Sequence, residues 1–405
     1  MKKFFLFIII LIMFLFFGCK KNEYQYNNVD WLMFRGNNCN GISEEKGWNP
    51  KSIKNDKNII WDVNVGQGYS SVTIKGNNIY TIGYNDSKDT VSCLNISDGS
   101  KIWSYSYDCK SVQYNGSRST PTYDNDKIYT VSSDGLVLCL GADEGKVIWQ
   151  KNLLTDYDAK KPTWGFAGSA VIFNDMLLLN ACKSGIALNK NTGELIWKSE
   201  SGICGYATPV IFKYNDIDCT VLFGEKNLFV VDIKNGNVLG AIEWQTSYDV
   251  NAANPIVKDN KIFISSGYNR GCALFEITDN GLQKIWENKE IRNHFSSSIL
   301  LNDKIYAVDG NTDQKCSLKC IDFNTGNKLW SVDNKFSSIL FSDNKIISIS
   351  ISGTITIFEL TESGVDKLID KSLDFDIYWT APVLCRGMLF IRNQKGDLYC
   401  FDMKK

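Results

Sequence analysis

The chain has 405 residues, 44% of them apolar and 22% charged, a globular composition that excludes wholesale disorder. Lysine plus arginine number 44 and aspartate plus glutamate 45, for a formal charge of −1, so no net field draws the chain to nucleic acid. With His294 as the single histidine, a multi-histidine metal site is excluded, and Ser-His-Asp catalysis would rest on that one residue.

Two lysines, an unbroken apolar run from Phe4 to Phe17, then Gly18-Cys19 open the chain. The run is short for a membrane span, and a charged start with a small residue at its end marks an export signal. Leu15-Phe16-Phe17-Gly18-Cys19 resembles a bacterial lipobox. That resemblance implies a signal peptide over 1–18, cleavage before Cys19, and acylation of Cys19 as the membrane anchor. The alternative is an uncleaved anchor helix; either way the bulk of the chain is exported and tethered. Residues 19–57 then read as a polar tether and a lead-in holding Asp30-Trp31-Leu32-Met33-Phe34-Arg35-Gly36-Asn37.

From residue 58 to 405 one unit recurs with a period of about 45 residues. Its clearest copy is Cys320-Ile321-Asp322-Phe323-Asn324-Thr325-Gly326-Asn327-Lys328-Leu329-Trp330: a strand, a glycine turn, and a strand holding tryptophan. A small-residue segment precedes each unit, as in Ser119-Thr120-Pro121 or Ala207-Thr208-Pro209, and a second strand follows a polar turn, as in Lys127-Ile128-Tyr129. Short β-branched and aromatic runs between Gly, Asn and Asp turns predict four antiparallel strands per unit and no helix. Trp61, Trp103, Trp149, Trp197, Trp286 and Trp330 mark six fourth strands; Gly240 and Leu368, each four after a glycine, mark two more, and Trp244 is out of register. Eight markers predict eight blades. Trp61 has no first three strands before it, and 396–402 supplies a third strand with no fourth after it. The strand from Ile59 to Val65 therefore completes the last blade and closes the ring, leaving no open edges. The fold class is all-β, an eight-bladed propeller.

The repeat resembles the PQQ-like β-propeller family, whose unit is Ala-x-Asp-x-x-Thr-Gly-x-x-x-Trp; the 188–197 and 320–330 copies match it well. Trp31-x-x-Phe34-Arg35-Gly36 resembles the opening segment of exported members, which packs on the propeller ahead of its first blade. The family includes quinoprotein dehydrogenases and an outer-membrane assembly lipoprotein, so the resemblance fixes fold more than activity. Its dehydrogenases hold the quinone beneath a ring of two adjacent cysteines, with calcium and a catalytic aspartate. This chain has no adjacent cysteines and no matching calcium ligands, so the expectation is a member without cofactor, metal or catalytic residues.

Thirteen cysteines in an exported chain raise the question of disulfides. Cys93, Cys139, Cys320 and Cys400 stand where the family has alanine, so they read as small core residues. Cys316 and Cys320 lie too far apart along one strand to bond. Cys204 with Cys219, or Cys39 with a propeller cysteine, stays open.

The first strand of each propeller blade lines the central channel, so residues just before it face the channel mouth. Here they are Tyr69, Arg118, Phe166, Tyr206, Asn251, His294, Phe295, Tyr378 and Trp379. Two readings stand: a plug that fills a tapered channel, which is the simpler, or a site for a ligand or peptide. The sequence as a whole reads as a lipid-anchored envelope propeller acting as a non-enzymatic scaffold. Its expected partners are envelope proteins, a β-barrel assembly complex among them by resemblance, and the membrane through its anchor. The alternatives are a PQQ-dependent alcohol or sugar dehydrogenase and a carbohydrate-binding propeller.

Overall fold

The computed structural model describes residues 29–110, 114–312 and 315–404. The proposed signal peptide over 1–18 and the lipidation site Cys19 lie outside the described residues. Within them no helix is long and apolar enough to cross a membrane, and the helices are two short 3-10 turns, Pro50–Lys54 and Asp56–Asn58.

The strands form eight antiparallel four-stranded sheets, each consecutive in sequence except the last. We number the blades 1 (73–108), 2 (122–152), 3 (171–198), 4 (210–243), 5 (256–288), 6 (299–334), 7 (337–372) and 8 (383–402 with 59–64). Ile59–Asn64 pairs with Asp397–Asp402, setting Trp61 opposite Cys400 and closing the ring as expected. Arg392, 1% exposed, seals the same seam. Its guanidinium donates to Gly66 O, Ser70 O, Thr81 Oγ1 and Ile82 O of the blade 1 side at 2.7–2.9 Å. Nothing in the repeat pattern predicts that arginine.

The turn between third and fourth strands follows from its Asx residue and glycine. Asp322 Oδ1 accepts from the backbone of Asn324 and Thr325, and Gly326, at φ 71°, donates its N–H back to Asp322 O. Every fourth strand then carries a bulge just before its marker residue, so Trp103 faces Cys93, Trp149 faces Cys139 and Trp330 faces Cys320. Gly240, opposite Val230, holds this place in blade 4. Trp244 lies beyond it, fully buried, with its N–H on Ser266 Oγ. Blade 7 corrects the sequence reading by one residue. Leu368 is the bulge residue, exposed, while Ile369 pairs with Ile357 and is buried. Counting from Gly364 fails there because the hairpin closes by Thr361 N–H on Gly364 O, a shorter loop than the Asp322–Asn327 turn of the clearest copy.

The marker tryptophans join blade to blade. Trp61, Trp103, Trp149, Trp197 and Trp286 each donate the indole N–H to a carbonyl of the next blade at 2.6–3.1 Å. Each ring also lies on the turn glycine of that blade: a Cβ on Gly145 would sit 2.3 Å from Trp103. Cys93, Cys139, Cys320 and Cys400 lie buried opposite marker tryptophans, which gives them a packing role that Leu274 takes opposite Trp286. Burial pushes the Cys93 and Cys320 thiols up to about 12. All twelve cysteines among the described residues are free, so neither Cys204 and Cys219 nor Cys39 and any propeller cysteine is bonded.

Candidate functional site

The small residues ahead of each first strand build a hydrogen-bonded girdle around the channel. Ser71 N donates to Thr120 Oγ1, Thr120 N to Ser169 Oγ, Ser169 N to Thr208 Oγ1, Thr208 N to Asn254 Oδ1, and Asn254 N to Ser297 Oγ, all at 2.8–3.2 Å. Channel-lining backbone that belongs to no ladder is thereby paired.

One end of the channel is covered by the lead-in. Trp31 bridges to Ile74 of blade 1, Leu32 O accepts from Tyr123 of blade 2, and Met33 packs on the core of blades 3 and 4. Arg35 donates to Ser298 O ahead of blade 6, and Ser43 N to Phe341 O of blade 7. Glu45 accepts from the backbone N–H groups of Arg386 and Gly387 in blade 8. The segment therefore crosses the disc and makes the channel blind at this end.

Above it opens a cavity of about 780 Å³. Phe34 and Arg35 form part of its lining, with Tyr69, Arg118, Tyr206, His294, Phe295 and Trp379 from the residues expected at the mouth. Tyr69 stacks on Trp379 with ring centres 5.3 Å apart, and Phe295 and Tyr114 lean on the same indole at 5.2 and 5.5 Å. The Arg118 guanidinium lies 5.5 Å over the Tyr69 ring. Across the mouth Trp164 meets Tyr206 edge-on, and Tyr268 Oη lies 2.8 Å from His294 Nε2.

Three expected residues do not line it. Phe166 and Tyr378 are turned into the blade cores, where they cover Gly135 and Gly353, and the Asn251 amide donates to the carbonyls of Gly224, Glu225 and Trp244. Extended chain explains the miss at these three, since adjacent side chains there point to opposite sides, whereas at the bend over 294–295 both His294 and Phe295 face the cavity. The lining position stands two residues before each girdle residue, at Tyr69, Arg118, Ala167, Tyr206, Ala252 and Phe295, and Trp379 stands likewise two before Ala381 ahead of blade 8. Phe166, Asn251 and Tyr378 precede it by one. Tyr114, Trp164, Tyr248 and Tyr268, on connections outside the strands, were not singled out by any sequence signal, and Arg35 was placed only as part of the lead-in.

Both guanidinium groups lose basicity through burial, Arg35 to about 10, so both stay charged at neutral pH. Burial pushes Tyr69 and Tyr206 up to about 12, which keeps them neutral. No aspartate or glutamate is among the described residues that line the cavity. That lining does not fit a calcium-held quinone: the hard cation wants carboxylate oxygens, and the paired cysteines are lacking too. Nor are three or more His, Cys, Asp or Glu side chains grouped to hold a metal ion anywhere among the described residues.

A closed ring of eight blades, with tryptophans stacked on the glycines of their neighbours, is a PQQ-like β-propeller. Within that class the chain belongs to the family of outer membrane protein assembly factor BamB, whose model matches residues 52–166 and 87–332. It is similar to the outer membrane protein assembly factor BamB of Yersinia pestis, 21% identical over 329 residues that cover 74% of this chain and 77% of that one. Among solved structures it resembles BamB from Moraxella catarrhalis, with a TM-score of 0.63, 15% identity, and coverage of 85% of this chain and 99% of that one. Quinohemoprotein alcohol dehydrogenase from Comamonas testosteroni superposes with a TM-score of 0.67 at 12% identity, over 93% of this chain and 80% of that one. At such identities these two likenesses concern the fold.

Proposed function

We propose that this protein is a lipid-anchored, non-enzymatic scaffold of the cell envelope that serves outer-membrane protein assembly. The observation that carries the reading is membership in the BamB family across most of the propeller. The surface supports it. Most connections from a fourth strand to the next blade supply residues to the cavity mouth, Tyr248 among them, and two of these connections carry exposed aromatics: Phe375 is 90% exposed and Tyr248 61%. Aromatics of this kind are the usual anchors of a protein interface. The closed ring holds these connections on one frame, and Cys19 acylation would hold the disc at a membrane.

Affinity purification of the full-length protein from its own membranes, after crosslinking in cells, tests this reading. Stoichiometric recovery of a β-barrel assembly component is the expected result. Recovery of the propeller alone, from membranes in which that component is abundant, would overturn it.

A further inference from the structure

We propose that the blind cavity at the channel mouth binds an acidic saccharide, a sugar ring that bears a carboxylate or a phosphate. The inference needs no partner protein and stands apart from the scaffold role.

Charge is the first argument. Arg35 lines the cavity from the covering segment and Arg118 from the wall, and the described lining holds no carboxylate. Arg35 directs its hydrogen bonds to the carbonyls of Asn40 and Ser298, and among the described residues no acid pairs with it. Two fixed positive charges in a cleft with protein walls focus a field that favours an anion. A guanidinium suits carboxylate and phosphate alike, because its N–H groups match two of their oxygens at once.

Shape and polarity are the second argument. The Trp379 indole with Tyr69 and Phe295 offers an aromatic wall against which the C–H face of a pyranose can stack. The girdle residues Ser169, Thr208 and Ser297 bring small hydroxyl groups to the same cavity, suited to a ligand with many hydroxyls. Tyr69 Oη, Ser296 Oγ and Trp379 Nε1, on three lining residues, have no hydrogen-bond partner among the described residues. Buried polar atoms left so are costly, and a hydroxylated ligand can meet them after small side-chain rotations. The volume falls within the range of small-molecule sites. A purely apolar ligand would leave both the charge and these polar atoms unanswered.

The test titrates the full-length protein in detergent with glucuronate, glucose 1-phosphate, glucose and inorganic phosphate. Calorimetry and tryptophan fluorescence read the binding. At least one acidic sugar is expected to bind about tenfold or more tightly than glucose and than phosphate, and Arg118→Gln to weaken it by about tenfold. Should that variant fail to fold, raising salt from about 50 to 500 mM must weaken binding to the unaltered protein in its place. No binding of either acidic sugar at about 10 mM would overturn the proposal. Equal affinity for glucose would overturn its acidic part, and phosphate binding as tightly as glucose 1-phosphate would overturn its saccharide part.

Discussion

Trp149 shows what one residue contributes to the ring. Its indole N–H reaches Lys190 O of blade 3 at 2.9 Å, and its ring covers Gly193 in the turn of that blade. Trp149→Ala removes a buried aromatic and leaves that carbonyl unpaired, so it is expected to cost about 3–5 kcal/mol, read as a lower urea midpoint. A midpoint unchanged from the parent protein would mean that the blades hold together without the tryptophans. Asp309 gives the pH dependence. Burial alone would raise its carboxyl, but the bonds from Arg292 and Lys319 outweigh that and hold it below the ordinary aspartate range. Because the folded value is depressed, the stabilisation is present above the unfolded value of about 3.9 and lost as pH falls through the folded one. Asp309→Asn is therefore expected to cost about 2–3 kcal/mol at pH 7, discounted because Arg292 is partly exposed, and to cost less at about pH 3, below the unfolded value. Urea midpoints at the two pH values check it, and an equal cost at both would contradict the assignment.

At the scale of the element, the closing strand bears most on stability. Without Ile59–Asn64 the strand Asp397–Asp402 would expose a row of unpaired N–H and C=O groups, and Cys400 would lose Trp61. A chain that lacks residues 59–64 is expected to associate into dimers or larger species through that edge, seen as earlier elution on gel filtration; a stable monomer would show that closure is dispensable. Most of this architecture was legible, because a glycine and a tryptophan four residues apart recur in four units, each glycine making a turn that the tryptophan of the preceding blade covers. Leu368 misled because the hairpin closes between Thr361 and Gly364, a shorter loop than the Asp322–Asn327 turn, and the bulge puts the buried place at Ile369. The seam arginine Arg392 was not legible, since its partners are backbone carbonyls brought near only by ring closure. The mouth was read in part. Tyr69, Arg118, Tyr206 and Trp379 follow from their spacing to the girdle residue, whereas Phe166, Asn251 and Tyr378 were one residue early. Arg35 could not be placed there at all, because nothing local says that the lead-in folds back across the channel.

The whole molecule is a disc with two unlike faces. One is crossed by the lead-in and carries the polar hairpin turns; the other carries the cavity and the exposed rings of Tyr248 and Phe375. If the protein is a scaffold for outer-membrane assembly, the second face is the one that meets a partner, and loops on the first have no such role. Site-specific photocrosslinking in living cells compares the two most directly, with a benzophenone side chain placed at Phe375 or Tyr248 and, as the control, at Asn235 on a hairpin turn of the opposite face. Adducts with a β-barrel assembly component from the mouth positions and none from Asn235 are the predicted result. Adducts from Asn235 alone, or none from any position while that component is present, would contradict the account.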